Sequence, residues 1–323
     1  MKTSWVLDTQ GDPLGTVTRF LTQIWQVQDL QGLILAASGT GDLRVVDETG
    51  QLGEFNPFQP IMIMNIAGRV PGILKDHPRG QFGIVLRPCE LRAYREVCER
   101  EPIDPARLMT ICVDCLGTFP EDEFAWRSQR KGSEGGLTGE ALQFAPQGGI
   151  ASYRYRAACQ MCISPGAQSA DINVGVLGLP VRQYMLVETD QQRSNLAQLA
   201  DREASPDEIN LREVMLSKLV ERHTQTRERV LDGLSEVLPA TVDKLLDQFE
   251  TCGACQECIQ ACPICSLKPP AQAKSGRYDK QAVVEWLVDC SGCGMCEQAC
   301  PRHMPLSIIF THVKRSLEEA RMI

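Results

Sequence analysis

Cys252, Cys255, Cys258 and Cys262, followed by Pro263, recur as Cys290, Cys293, Cys296 and Cys300, followed by Pro301. Each run reads C-x2-C-x2-C-x3-C-P, the ligand run of a chain that holds two 4Fe–4S cubanes. Iron–sulfur clusters take soft ligands, and thiolates are the soft ligands proteins have. Three cysteines at i, i+3 and i+6 let a short turning backbone wrap three corners of one cube. The fourth, just before proline, reaches the other cube. Cys252, Cys255, Cys258 and Cys300 are therefore expected to hold one cluster. Cys290, Cys293, Cys296 and Cys262 are expected to hold the second. A lone C-x2-C pair would be ambiguous with zinc. Two complete copies are not, and they imply one-electron chemistry.

Composition narrows the rest. A chain of 323 residues suggests two domains, and 43% hydrophobic content is ample for packed cores. The net charge of −8, with no basic stripe, argues against a nucleic-acid partner. No stretch approaches the ~18 apolar residues of a membrane span, so direct membrane insertion is not expected. Fifteen cysteines would suggest disulfides in a secreted chain. The opening MKTSWVLDTQGDP has no apolar core of a signal peptide. The thiols therefore read as metal ligands in a reducing cytoplasm.

The apolar pattern predicts an α/β domain over residues 1–190. Its candidate strands are Leu33–Ala37, Ile61–Ala67, Phe82–Leu86, Met109–Val113, Val174–Val181 and Tyr184–Val187, separated by turn residues. Residues 84–97 read as strand, cysteine-bearing turn, helix. Met109–Val113 repeats the idea as a strand ending in Asp114-Cys115. In open α/β sheets, sites gather at the carboxyl ends of strands. Residues 117–149 read as a loop-rich excursion, either a docking loop or a surface insertion, with Glu121-Asp122-Glu123 solvated. Residues 191–240 read as a helical linker. Ser205-Pro206-Asp207-Glu208 is an N-cap signature, and Leu211, Val214, Met215 and Leu219 follow at helical period. Residues 241–323 are expected to form a mainly helical, two-cluster ferredoxin-like domain. Gln281–Val288 enters its second cysteine run and Leu306–Arg321 closes it.

Seven cysteines lie outside the two runs. Cys159 and Cys162 form another C-x2-C, while Cys89 and Cys115 each follow a strand end. Together they can close a four-thiolate site, read here as a third 4Fe–4S cluster, with zinc the alternative because it also takes four thiolates. Cys112 competes with Cys115 as the fourth ligand, and Cys115 is preferred. Cys98 is the bystander, a free thiol packing as a small hydrophobe. Cys265, three residues after Cys262, is a ninth thiol where eight suffice.

Three segments resemble the coenzyme F-420-reducing hydrogenase/dehydrogenase beta-subunit family: IVLRPCELRAYREV (84–97), ICVDCLGT (111–118) and CQMCISPGAQSADINVGVLG (159–178). The order of domains, and the CPIC at 262–265, is most similar to formate dehydrogenase beta subunits. The resemblance implies an FAD beside the first-domain cluster and a hydride carrier, a deazaflavin or a nicotinamide, docking on it. It also implies a separate catalytic redox subunit: formate dehydrogenase alpha, a hydrogenase or a heterodisulfide reductase-like chain. A flavin-free relay between two redox enzymes is the alternative. No G-x-G-x-x-G follows a strand, and Gly39-Thr40-Gly41-Asp42 reads as a hairpin turn. Arg87, beside Cys89, is a candidate contact to a phosphate or an anionic cluster. Asp171 is a candidate contact to the flavin, or a turn cap. Lys75 reads as surface. His77, His223, His303 and His312 share no ligand spacing, and His303 could tune the nearby cluster by hydrogen bonding.

Overall fold

The structure, a computed structural model, describes residues 2–37, 43–150, 154–190, 198–252, 255–272 and 277–320. Gly39–Asp42 therefore lies outside the described residues. One sheet organises the first region. Its strands are β1 (Lys2–Asp8), β2 (Gly32–Ala36), β3 (Leu43–Val46), β4 (Phe82–Leu86), β5 (Leu108–Val113), β6 (Ile172–Gly175), β7 (Tyr184–Asp190) and β8 (Arg202–Glu203). They lie in the order β3-β2-β4-β5-β6-β7-β1-β8. The central four, β2, β4, β5 and β6, run parallel. The outer pairings are antiparallel.

β4 is buried along its whole length because both faces are covered, which is why its sequence is a continuous apolar run rather than an alternating one. On one face, Leu33, Leu35, Val85, Ile111 and Val113 pack against Val17, Phe20, Leu21 and Ile24 of the helix Pro13–Val27. That helix buries positions i, i+3, i+4 and i+7, one amphipathic stripe, and Asp12 caps it by accepting from the Gly15 N–H at 2.9 Å. On the other face, Ile34, Ile84, Leu86 and Cys112 meet Leu91, Tyr94 and Val97 of the helix Pro88–Arg100.

Several expectations change. Ile61–Ala67 is not a strand: it is irregular until Asn65 caps a short 3-10 helix, Ile66–Arg69, by accepting from the Ala67 N–H. β6 ends at Gly175 rather than Val181, because the next two backbone N–H groups, of Val176 and Leu177, turn onto the Asp114 carboxylate at 2.7 and 2.8 Å. The excursion after β5 carries two helices, Glu121–Arg130 and Glu134–Gln143. Its acidic triplet fills the first turn of the former while Arg127 and Arg130 fill the last, matching the helix dipole. β1 and the helix Pro13–Val27 had no counterpart among the expected elements, and β8 carries the sheet past residue 190.

The long helix Pro206–Gly233 starts as expected. Ser205 and Glu208 form a reciprocal capping box with Pro206 at N1. Its inward face is the expected one only in part. Leu211 and Val214 are exposed, whereas Arg212, Leu219 and His223 are buried. Beyond it, the helices Val242–Thr251, Glu257–Ala261, Lys280–Val288, Met295–Gln298 and Leu306–Glu319 enclose a separate core. Trp286 anchors that core, with its ring 4.8 Å from Phe310 and 6.0 Å from Phe249.

Candidate metal centres

The topology gathers four first-region cysteines at the carboxyl ends of the parallel strands. Cys89 lies in the first turn of the helix after β4, where free N–H groups and the helix dipole favour a thiolate. Cys115 follows β5, and its N–H donates to Pro165 O at 2.9 Å. Cys159 lies in a short helix, Ala157–Gln160, and Cys162 sits just after it. All four line one cavity, with Arg87, Thr118, Tyr155, Arg156, His223 and, from the second cysteine run, Cys293. Cys112 does not line it; that side chain is fully buried in the apolar core against the helix Pro88–Arg100. Cys98 also packs at the edge of that core.

Burial drives the Cys115 thiol up to about 12, and Cys159 and Cys162 add to the rise while the Arg87 guanidinium opposes it. Burial and then Cys115 push Cys89 well up. Burial pushes Cys162 up as well, and Cys89, Cys115 and Cys162 ionise together only against a compensating cation, which is what a metal core supplies. The donor set therefore fits a thiolate-bound metal group.

The two C-terminal sets also assemble. Cys252, Cys255, Cys258 and Cys300 line one cavity of about 310 Å³. Burial lifts Cys258 to about 11, with Cys252, Cys255 and Cys300 contributing. Cys290 and Cys296 line a second, of about 320 Å³, that also reaches Cys162. Burial and then Cys293 and Cys262 lift Cys290 to about 12. Each proline-preceding cysteine thus sits with the other run. Cys265 supports Cys262 from behind: its N–H lies 3.4 Å from the Cys262 sulfur, and its thiol's hydrogen bond is the largest cause holding Cys262 down at about 6. Thiolates on one zinc ion would lie about 3.8 Å apart, given Zn–S bonds near 2.3 Å. Among the described residues, no group of three His, Cys, Asp or Glu side chains is placed to hold a metal ion.

Two further groups fix the first-region loops. Asp114 is buried and accepts from Arg212 Nη1 at 2.8 Å and Nη2 at 2.9 Å, and from the Ala167 N–H at 2.6 Å. His223 Nδ1 lies 2.7 Å from Cys162 O. The helix Pro206–Gly233 is therefore clamped across the loops that carry Cys115 and Cys162. Sequence reading passed over Asp114, Arg212 and Arg156; buried polar residues give no periodic signal, and only their partners, distant in sequence, explain them.

The first and second cysteine regions touch closely. A Cβ on Gly294 would lie 2.6 Å from Ala158 Cβ, and one on Gly68 would lie 2.8 Å from Pro263 O. Arg92 Nε and Nη2 donate to Ser291 O at 3.2 and 3.0 Å. On the other side of the Cys89 cavity lies a narrow cleft over the ends of β2, β4 and β5. Phe55, Asn56, Gln59, Met62, Arg87 and Glu90 are among its walls. Arg87 and Met62 line both spaces, and Arg87 Nη2 donates to Gln59 O at 2.8 Å.

Asp171 does not join these residues. Its carboxylate accepts from the Thr110 N–H and hydroxyl at 2.8 and 2.9 Å, at the amino end of β6. It lines neither the cleft nor the cysteine cavity, so the expected flavin contact gives way to a strand-pinning one. Lys75, His77 and His303 are exposed, while His312 is buried in the closing helix.

Residues 244–301 match the family model described as a 4Fe-4S dicluster domain. The C-terminal region accordingly carries two 4Fe–4S clusters. A chain in the xenon-derivatised structure of the F420-reducing NiFe hydrogenase complex from Methanosarcina barkeri is similar in fold. The TM-score is 0.50 at 13% identity, over 71% of this chain and 91% of that one. Among the described residues, no helix is long and apolar enough to cross a membrane.

Proposed function

We propose that this chain is the iron–sulfur electron-transfer subunit of an oxidoreductase complex, exchanging electrons between a hydride carrier and a catalytic partner. The observation that carries this reading is a run of shared walls. Met62 and Arg87 border both the cleft and the Cys89 cavity. Cys293 borders the Cys89 cavity, and Cys162 borders the cavity of Cys290 and Cys296. Cys89, Cys115, Cys159 and Cys162 would hold a third 4Fe–4S cluster. The cleft would take the FAD ring, with Asn56, Gln59 and Arg87 as its polar contacts. A flavin takes up a hydride as two electrons and releases them singly, which is the chemistry it would supply here.

The hydrogenase named for the neighbouring fold reduces F420, so a deazaflavin is the first hydride carrier to test and a nicotinamide the second. The catalytic partner is a separate redox chain of the hydrogenase, formate dehydrogenase alpha or heterodisulfide reductase-like kind. The reducing cytoplasm suits so many free thiols. A second reading, a flavin-free relay, is favoured by the narrowness of the cleft, about 40 Å³. Absorbance and flavin analysis of anaerobically purified protein, before and after FAD reconstitution, separates the two. One flavin per chain and reduction by a deazaflavin support the converter. No flavin after reconstitution leaves the relay.

A further inference from the structure

Arg156 is 9% exposed. Its guanidinium is held at every corner. Nε donates to Thr118 Oγ1 at 2.8 Å, Nη1 to Gln298 Oε1 at 3.0 Å and Met295 Sδ at 3.4 Å, and Nη2 to Cys159 Sγ at 3.8 Å. No ion pair joins it to a carboxylate among the described residues. A buried cation without a counter-charge is expensive to keep. The negative groups this one faces are chiefly thiolates, Cys159 and Cys89 from the first region and Cys293 from the second run; the buried Glu90 carboxyl also feels it, but burial pushes that carboxyl up towards its neutral form. Thr118 and Cys159 belong to the first region, whereas Met295 and Gln298 lie in the helix directly after Cys293. The side chain therefore spans the boundary between two cysteine sets.

We infer that Arg156 is a potential-setting residue whose counter-charge is the pair of clusters on either side of it, an inference that rests on the third-cluster reading above. A cubane with four thiolates is anionic and gains one more negative charge when it accepts an electron. A fixed buried cation stabilises the reduced form more than the oxidised one, and charge and hydrogen bonding at the sulfurs are established levers on such potentials. Arg156 thereby raises the midpoints of both neighbouring clusters together. None of the groups that act on Arg156 is Cys252, Cys255, Cys258 or Cys300.

The test is an EPR-monitored redox titration, with dithionite as electron donor, on anaerobically purified wild type, Arg156→Gln and Arg156→Lys, with iron counted in each. Arg156→Gln should keep its iron and lower the midpoints of the two flanking clusters. At a fixed potential the reduced-to-oxidised ratio of each should fall about tenfold or more, about 59 mV per tenfold for one electron. The cluster of Cys252 should not move, and Arg156→Lys should recover most of the shift. Unmoved midpoints in Arg156→Gln, or an equal shift in Arg156→Lys, would overturn the inference. Should Arg156→Gln lose iron, Arg156→Met fills similar space without a buried amide and carries the same expectation. Loss of iron in both, with Arg156→Lys fully loaded, supports the counter-charge role; equal loss in all three contradicts it. Wild type with about eight iron would sink the third-cluster reading alone. The midpoint of the Cys290 cluster must still fall in Arg156→Gln.

Discussion

The two cysteine regions are built by opposite means. In the C-terminal region, eight thiols come from two short runs, and local turns bring six of them together. In the first region, four thiols come from three separate loops, and only the parallel order β4-β5-β6 brings them to one place. The supports differ accordingly. The C-terminal sites lean on a compact helical core around Trp286. The first-region site leans on a buried ion pair, Asp114 with Arg212, that draws a distant helix across its loops. A site made by local spacing tolerates change elsewhere in the fold. A site made by topology depends on whatever holds the loops in register.

The largest effect that could break this contrast is at the ligands. Cys115→Ser should remove about four iron, one cluster's worth, and leave the C-terminal clusters intact. Cys112→Ala, three residues earlier and inside β5, should remove none. Iron analysis of the two proteins decides between them, and the reverse pattern would mean that β5 presents the other thiol.

Next comes the clamp. Arg212→Met strands the Asp114 carboxylate in a buried site and should cost about 3–5 kcal/mol. In thermal unfolding of a chain this size that corresponds to a drop of about 4–7 °C. First-region iron should be lost with it while the dicluster iron stays. Equal loss from both regions would show that they do not stand independently.

Gly68→Ala sharpens the comparison at the seam. The new methyl meets the Pro263 backbone at 2.8–2.9 Å, and overpacking of this kind costs about 1–3 kcal/mol. Slower electron exchange between the regions at unchanged iron content is the expected readout, measured by stopped-flow reduction.

The smallest effect is at the helix cap. The Arg202 hydrogen bond holds the Glu208 carboxyl down at about 2, against an ordinary value of 4.5. The folded value is the lower one, so the stabilisation is complete above pH 4.5 and is lost as pH falls through 2. At a screened surface position it amounts to under about 1 kcal/mol. Glu208→Gln should show that loss at neutral pH by thermal unfolding and none near pH 2.

The same contrast explains what could be read from sequence. The dicluster domain was legible from the spacing of the two cysteine runs, and the expected exchange of Cys262 and Cys300 comes from that spacing too. The capping box at Ser205 and the strand–cysteine–helix unit around Cys89 are also local and were legible. Cys115 over Cys112 was a preference from sequence; the structure puts Cys112 inside β5 in the apolar core and Cys115 beyond the strand end, on the cavity wall. Asp171 looked available because its partner, Thr110, lies on another strand. Leu211 and Val214 suggested the wrong inward positions on the long helix, because the charge on Arg212 outranks them only once Asp114 is buried opposite it.

Under the proposed function, topology builds a third cluster from thiols on three separate loops. Iron and acid-labile sulfide on anaerobically purified wild type test it most directly, with Cys159→Ser measured alongside. About twelve iron per chain are expected in the first and about eight in the second, three and two four-iron clusters. About eight in both would contradict it.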